Sequence, residues 1–371
     1  MHLAVALDGA GWHPAAWREP RARPDELFTG RYWTDIIAEA ERGLLDFVTI
    51  EDGFSVQSSR TDEVTGRLDA VLIAARVAPL TRHIGLIPTV ITTHTEPFHL
   101  SKAIATLDYA SKGRAGVRLR VSRSGDEAAL IGRRERPLPA GDLLAEAADY
   151  IEVIRRLWDS WDDDAVIRDA AAGRFIDRDR LHYIDFSGAQ FSVKGPSITP
   201  RPPQGQPVVS ALGHGSTVYP LIAKSADVGF VTPGDASEAA AIVAEIRDAG
   251  GDRVQVFADL VVFLGATVEE AASRQARLDE LAGHAYTSDA TVFTGTPAQL
   301  AHLLLDWQRA GLAGFRLRPG VIPDDLEAIT RAVVPELQQH GAFRTGYEAG
   351  TLRGLLGLSR PASRYATARS N

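Results

Sequence analysis

The residues with most to offer chemically stand at the ends of short apolar runs. Over residues 115–121, Val117, Leu119 and Val121 alternate with Arg118 and Arg120, so an extended chain carries both guanidinium groups on one face. Arginines on an inward face need anionic partners. They therefore meet either an anionic ligand or the carboxylates of Glu51, Asp52 or Asp8 at neighbouring strand ends. The run at 47–50 closes on Glu51-Asp52-Gly53, where a carboxylate serves a ligand's ring or polyol, or simply an internal salt bridge. His94, within TVITTHTE (89–96), has the type of a general base or substrate-orienting group near neutral pH, or of a structural histidine. Trp12 and His13 follow the first apolar run as an aromatic wall and polar contact for substrate, or as a packed loop. Gly213, His214, Gly215 and Ser216 precede a helical stretch at 219–225. Glycines there let the backbone approach a phosphate and present free amides to it, although glycine also marks any tight turn.

These clusters need a scaffold that brings strand ends together. Apolar runs at 3–7, 47–50, 84–90, 115–121, 207–211, 227–231, 254–264 and 314–317 alternate with helical patterns at 33–42, 68–78, 100–109 and 143–158. Strands alternating with helices make a parallel sheet, and eight of them predict an α/β fold, a closed (β/α)8 TIM barrel with insertion loops. Active sites of such barrels lie at the C-terminal ends of the strands, where every cluster above falls. Residues 159–206, rich in Pro and Gly, break the rhythm and read as an insertion loop of the kind used for lids or substrate binding. The chain reads as one domain over 1–371, with 359–371 as a loose C-terminal tail. No repeat beyond the β-α period stands out.

Composition narrows the chemistry. With 45% hydrophobic and 24% charged residues the chain has ample apolar surface for a core. A formal charge of -8 without a basic stripe disfavours nucleic acid and anionic membranes and favours a small-molecule partner. The absence of cysteine excludes disulfides, thiolate metal sites and cysteine nucleophiles, and no histidine spacing suits a metal. The start at Met1-His2-Leu3 lacks secretory features, and no apolar run nears the roughly 20 residues that span a bilayer, so the expectation is a cytoplasmic protein. Walker, nucleophile-elbow and dinucleotide signatures are missing as well.

Several longer segments resemble the luciferase-like flavin monooxygenases, in particular the nitrilotriacetate and dibenzothiophene-sulfone monooxygenase branch. They are HPAAWR (13–18), AERGLLDFVTIED (40–52), EPFHLSKAIATLDYASKGRAG (96–116), LWDSWDDDA (157–165), GRFIDRDRLHYIDFSGAQFSVKGP (173–196) and FRTGYEAGTLRGLLGL (343–358). The resemblance implies a homodimeric barrel that takes reduced FMN from a separate NAD(P)H-dependent flavin reductase and, with O2, oxygenates a small organic substrate. It further implies flavin contacts from Asp52 and Thr89, a strained peptide at Pro88-Thr89, and the FMN phosphate on Gly213 to Ser216. His94, Arg118 and Arg120 become the catalytic expectations, Trp12 and His13 the substrate contacts. The chain departs from the branch in three places: Val117-Arg118 stand where Trp-Asn is usual, a His and Tyr are missing from RRERPLPAGDLLAEAADY (133–150), and a helical excursion is absent between 281 and 291. A deazaflavin-dependent hydride-transfer enzyme and a non-catalytic flavin-binding barrel are the alternative expectations.

Overall fold

A computed structural model describes residues 1–132 and 138–366. The start of the 133–150 helix entry and the last residues of the expected tail lie outside the described residues.

Eight strands form the cylinder: β1 (His2–Leu7), β2 (Phe47–Ile50), β3 (Gly85–Ile91), β4 (Gly116–Arg120), β5 (Val208–Gly213), β6 (Val228–Val231), β7 (Gln255–Leu264) and β8 (Gly314–Pro319). All pair in parallel, in the order β6-β5-β4-β3-β2-β1-β8-β7, and β7 pairs back onto β6 to close the ring. The expected (β/α)8 barrel is what forms. Its principal helices are α1 (Gly30–Arg42), α2 (Ala70–Val77), α3 (Pro97–Ala110), α4 (Gly125–Ile131), α5 (Ala140–Asp159), α6 (Tyr219–Ser225), α7 (Ala236–Asp248), α8 (Val268–Ala282) and α9 (Pro297–Gln308). Among the described residues no helix is long and apolar enough to cross a membrane.

One further strand, Thr291–Gly295, escaped the sequence reading. It exists because β7, with ten residues, is more than twice the length of β6, with four: residues 255–258 pair with β6, and Leu260 to Leu264 pair with the added strand above it.

The N-terminal half of the barrel interior is apolar. Ala4, Phe47, Ile87, Val208, Val228, Phe230 and Phe257 pack there with Leu352 and Leu356 from the C-terminal segment, which plugs the floor. A side chain at Gly85, the first residue of β3, would stand 2.5 Å from the Leu352 methyl. Glycine is needed there for the plug to seat.

The 159–206 insertion folds into two small hairpins, Val166–Asp169 with Arg174–Ile176 and Phe186–Ser187 with Ser192–Val193, and none of its residues lines the two cavities of the mouth described below. Its apolar side chains Ile184, Phe186, Phe191 and Val193 pack on Val153 and Leu157 of α5 instead. The segment after Leu358 is not loose as far as residue 366. Arg201 donates to the Pro361 carbonyl, Arg360 pairs with Asp163, and Tyr365 stacks on His182 at 4.6 Å.

Because Leu352 is fully buried in the floor, Leu352→Ala should cost about 3 kcal/mol. The measurement is a lower urea midpoint at unchanged slope; a loss below about 1 kcal/mol would show that the floor closes without it.

Candidate active site at the barrel mouth

Above the apolar floor the interior turns charged. Arg118 of β4 reaches Glu51 at the end of β2 at 2.5 and 2.6 Å, skipping β3, a bond that only the barrel interior allows. The same nitrogen donates to Thr89 Oγ1 of β3 at 3.1 Å. Opposite, Arg316 of β8 makes a two-pronged pair with Asp259 of β7, donates to Thr49 at 3.2 Å and stacks over Phe230 at 3.9 Å. Arg318, one layer higher, holds Asp259 at 2.5 Å and Asp289 at 2.6 Å, with its guanidinium 4.5 Å over the Trp12 ring. Burial alone would raise the Glu51 carboxyl, but Arg118 and Arg316 hold it below the ordinary value. Asp259 is held down in the same way by Arg316 and Arg318 against its burial.

Asp259, Arg316 and Arg318 were not foreseen from the sequence. The available signal was an echo: AGVRLR (115–120) on β4 returns as AGFRLR (313–318) on β8. The two strands are four places apart in an eight-membered ring, so the two Arg-x-Arg pairs face each other across the barrel.

A cavity of about 520 Å³ opens where the C-terminal ends of β4 and β5 meet α5 and α6. Arg118, Arg120, Arg123 and His214 line it together with Thr92, Gly215 and Thr217, and the rest of its wall is apolar, from Leu143 and Ile151 to Leu221. Among the described residues no carboxylate lines it. A position for a side chain on Gly215 meets nothing within 4 Å, so there is open space beside the turn there. A second cavity of about 420 Å³ lies beside it, between the ends of β2 and β3 and helices α2 and α3.

The expected site residues divide between these spaces. Arg118, Arg120, His214 and Gly215 share the large cavity, and Gly213 ends the strand that carries the turn. Ser216 is exposed on the same turn and does not line the cavity. Asp52 and Thr89 line the second cavity, and the Arg118–Thr89 bond joins a residue of the one to a residue of the other. Asp52 is bound by the amides of Gly53 at 2.7 Å and Ala70 at 2.8 Å, which seats it at the start of α2; burial raises its carboxyl all the same. The peptide at Pro88-Thr89 is an ordinary trans strand peptide, so the strained bond expected there is absent.

His94 closes a short helical turn after β3, buried, with its ring centroid 6.3 Å from that of Phe54, and lines neither cavity. His13 is turned away from both. Its Nδ1 accepts from the Ala15 amide at 3.1 Å, so Nε2 carries the proton and donates to Asp279 of α8 at 3.0 Å. Burial lowers its pKa despite that partner. Trp12 donates to the Ala6 carbonyl at 2.8 Å and braces Arg318. The short link between α8 and the added strand, where the branch's excursion is missing, brings Tyr286 against His13 and Asp289 between Arg318 and His214.

Asp8, at the end of β1, is bound by Arg67 at 3.1 and 3.2 Å, yet burial outweighs the arginine and lifts it from 3.8 to about 6. A carboxyl raised on folding contributes stability below its unfolded pKa and loses it as pH rises through the folded one. Asp8→Asn should therefore gain thermal stability relative to the parent between pH 4 and about 7. A constant difference across that range in parallel melts would contradict the assignment.

Residues 10–290 match the family described as luciferase-like monooxygenase. The N-acetyl-S-(2-succino)cysteine monooxygenase of Bacillus subtilis is 31% identical, with 99% of this chain and 98% of the relative covered. Nitrilotriacetate monooxygenase component A of Aminobacter aminovorans is 29% identical, with 99% and 98% covered. The fold matches that of the EDTA monooxygenase from Chelativorans sp. BNC1 with a TM-score of 0.85 at 24% identity, over 97% of this chain and 98% of that one. A parallel barrel with a charged mouth and an arginine-lined cavity, matched along its length by relatives of one kind, leads to a plain conclusion: this chain belongs to the luciferase-like monooxygenase family.

Proposed function

We propose that the chain is the oxygenase component of a two-component system, using reduced FMN from a separate NAD(P)H-dependent flavin reductase, and O2, to insert one oxygen atom into a small organic substrate. The observation that carries the reading is Arg118. Its Nε is buried and has no hydrogen-bond partner, while Glu51 and Thr89 fix the rest of the group at the cavity wall. An orphaned buried donor costs roughly 1–3 kcal/mol, so a ligand acceptor at that point recovers it, and the residues present fit an electron-rich ring carrying a phosphate. The full-length relatives, both monooxygenases by name, favour this reading over deazaflavin hydride transfer or a non-catalytic barrel.

In this reading Arg118 would face the ring from the cavity wall and balance negative charge on it, with Glu51 keeping the guanidinium aimed. The turn from Gly213 to Thr217 receives the phosphate, His214 and the open Gly215 backbone forming its rim. Thr89 would hold Arg118 in place from the second cavity, and Asp52, in that same cavity, is a flavin contact on the family resemblance alone. Leu143, Ile151 and Leu221 keep water from the reacting atoms. When bound, reduced flavin supplies the electrons for oxygen activation that none of these side chains can supply.

Binding and turnover test the two halves separately. FMN should bind at least tenfold more tightly than riboflavin, and Gly215→Asp, which puts a carboxylate in the phosphate turn, should abolish that preference and leave riboflavin binding intact. With a flavin reductase, NADH and isotopically labelled O2, one labelled atom should enter an accepted substrate. Equal affinity for the two flavins in the parent protein would remove the phosphate assignment.

A further inference from the structure

The two Arg-x-Arg strands provide an internal control. On β8 every guanidinium finds its anion within the chain: Arg316 has Asp259, and Arg318 has Asp259 and Asp289. On β4 the accounts differ. Arg118 shares Glu51, while Arg120 has, among the described residues, a single hydrogen bond at 3.2 Å to the Asp52 carbonyl. Glu127 and Asp8 feel its charge only through space. Arg120 is exposed to the cavity, with Arg123 lining the same edge. A duplicated motif satisfied on one side and left open on the other marks the open side as the one completed by a ligand.

The phosphate turn lies on β5, and Arg120 reaches the other way, toward the end of β2. It is therefore a second anion station, not a part of the first. Between the two stations the wall is supplied by Leu143, Ala147, Ile151, Leu212 and Val218, all without charge. We propose that Arg120, with Arg123 beside it, selects the substrate: a molecule with a carboxylate or sulfonate group on an apolar body, the anion at the β4 edge and the body along α5. This rests on the proposed oxygenase site, and it names the substrate class of that site. An oxyanion bound there has two sources, the substrate's own acid group or the phosphate of FMN, and the probes separate them.

The experiment is equilibrium binding by calorimetry to the intact chain, with octanoate, octanesulfonate, octanol, FMN and riboflavin as probes, for the parent, Arg120→Leu and Arg120→Lys. A charge-assisted hydrogen bond contributes on the order of 1.5–3 kcal/mol, and 1.4 kcal/mol is tenfold in affinity. Arg120→Leu should thus weaken both octyl anions by about tenfold or more and leave octanol, FMN and riboflavin within about twofold. Arg120→Lys, which keeps the charge but not the planar fork, should restore part of the loss. The proposal is overturned if the parent does not prefer the octyl anions to octanol, if Arg120→Leu weakens octanol equally, or if it weakens FMN and spares the octyl anions, which would place the flavin phosphate at this arginine. Failure of FMN to bind any form, with the octanoate loss intact, would sink the flavin reading and leave the anion station standing.

Discussion

A guanidinium taken inside a barrel must be surrounded by oxygen, because burial of an unpaired charge is among the most costly events in folding. That constraint organises the upper half of this molecule. Arg118, Arg316 and Arg318 are buried, and Glu51, Asp259 and Asp289 are brought to them from other strands or loops. The Arg118–Glu51 bond skips a strand and the Asp259 pairs join the neighbours β7 and β8, so β2 with β4 and β7 with β8 are tied by charge at the top as they are by packing at the bottom. The pairs are weak evidence for net stability. Their clearer effect is geometric: side chains facing the cavity are held in place before any ligand arrives, which is the form of preorganisation that electrostatic catalysis requires.

Much of this was legible from residue order. The β-α alternation located all eight barrel strands, several to within one or two residues, because buried parallel strands are continuous apolar runs and their helices carry a different period. The inward direction of Arg118 followed from Val117 and Leu119 on either side of it. The partner was also within reach, since Glu51 ends the strand two places away. Other features were not legible. Asp259 is surrounded by apolar residues in a ten-residue strand, and nothing in the local pattern says that two arginines nearly sixty residues later converge on it. His13 has the composition of a site residue and the surroundings of a clamp; only the position of Asp279 on a distant helix decides between them.

The insertion shows a different limit. A long Pro- and Gly-rich stretch predicts an excursion but not its direction, and direction depends on which apolar face it covers. Ile184 and Phe186 find theirs on α5 and Phe98, so the excursion becomes a buttress. The mouth is instead flanked by the 53–69 connection, which supplies Arg67 to Asp8 and the Asp62 carbonyl to Trp17. Its sequence, mostly polar, carried little periodicity to read.

The floor has an implication for how the protein is made. Leu352 and Leu356 stop the barrel from below, and β1 has β8 as one of its two neighbours. β1 therefore waits for β8, and the inner apolar ring stays wet until Leu352 and Leu356 have left the exit tunnel. Long-range pairing of this kind is slow and exposes unpaired strand edges meanwhile. Nascent chains stalled before residue 352 should thus depend on chaperones that the finished molecule does not need.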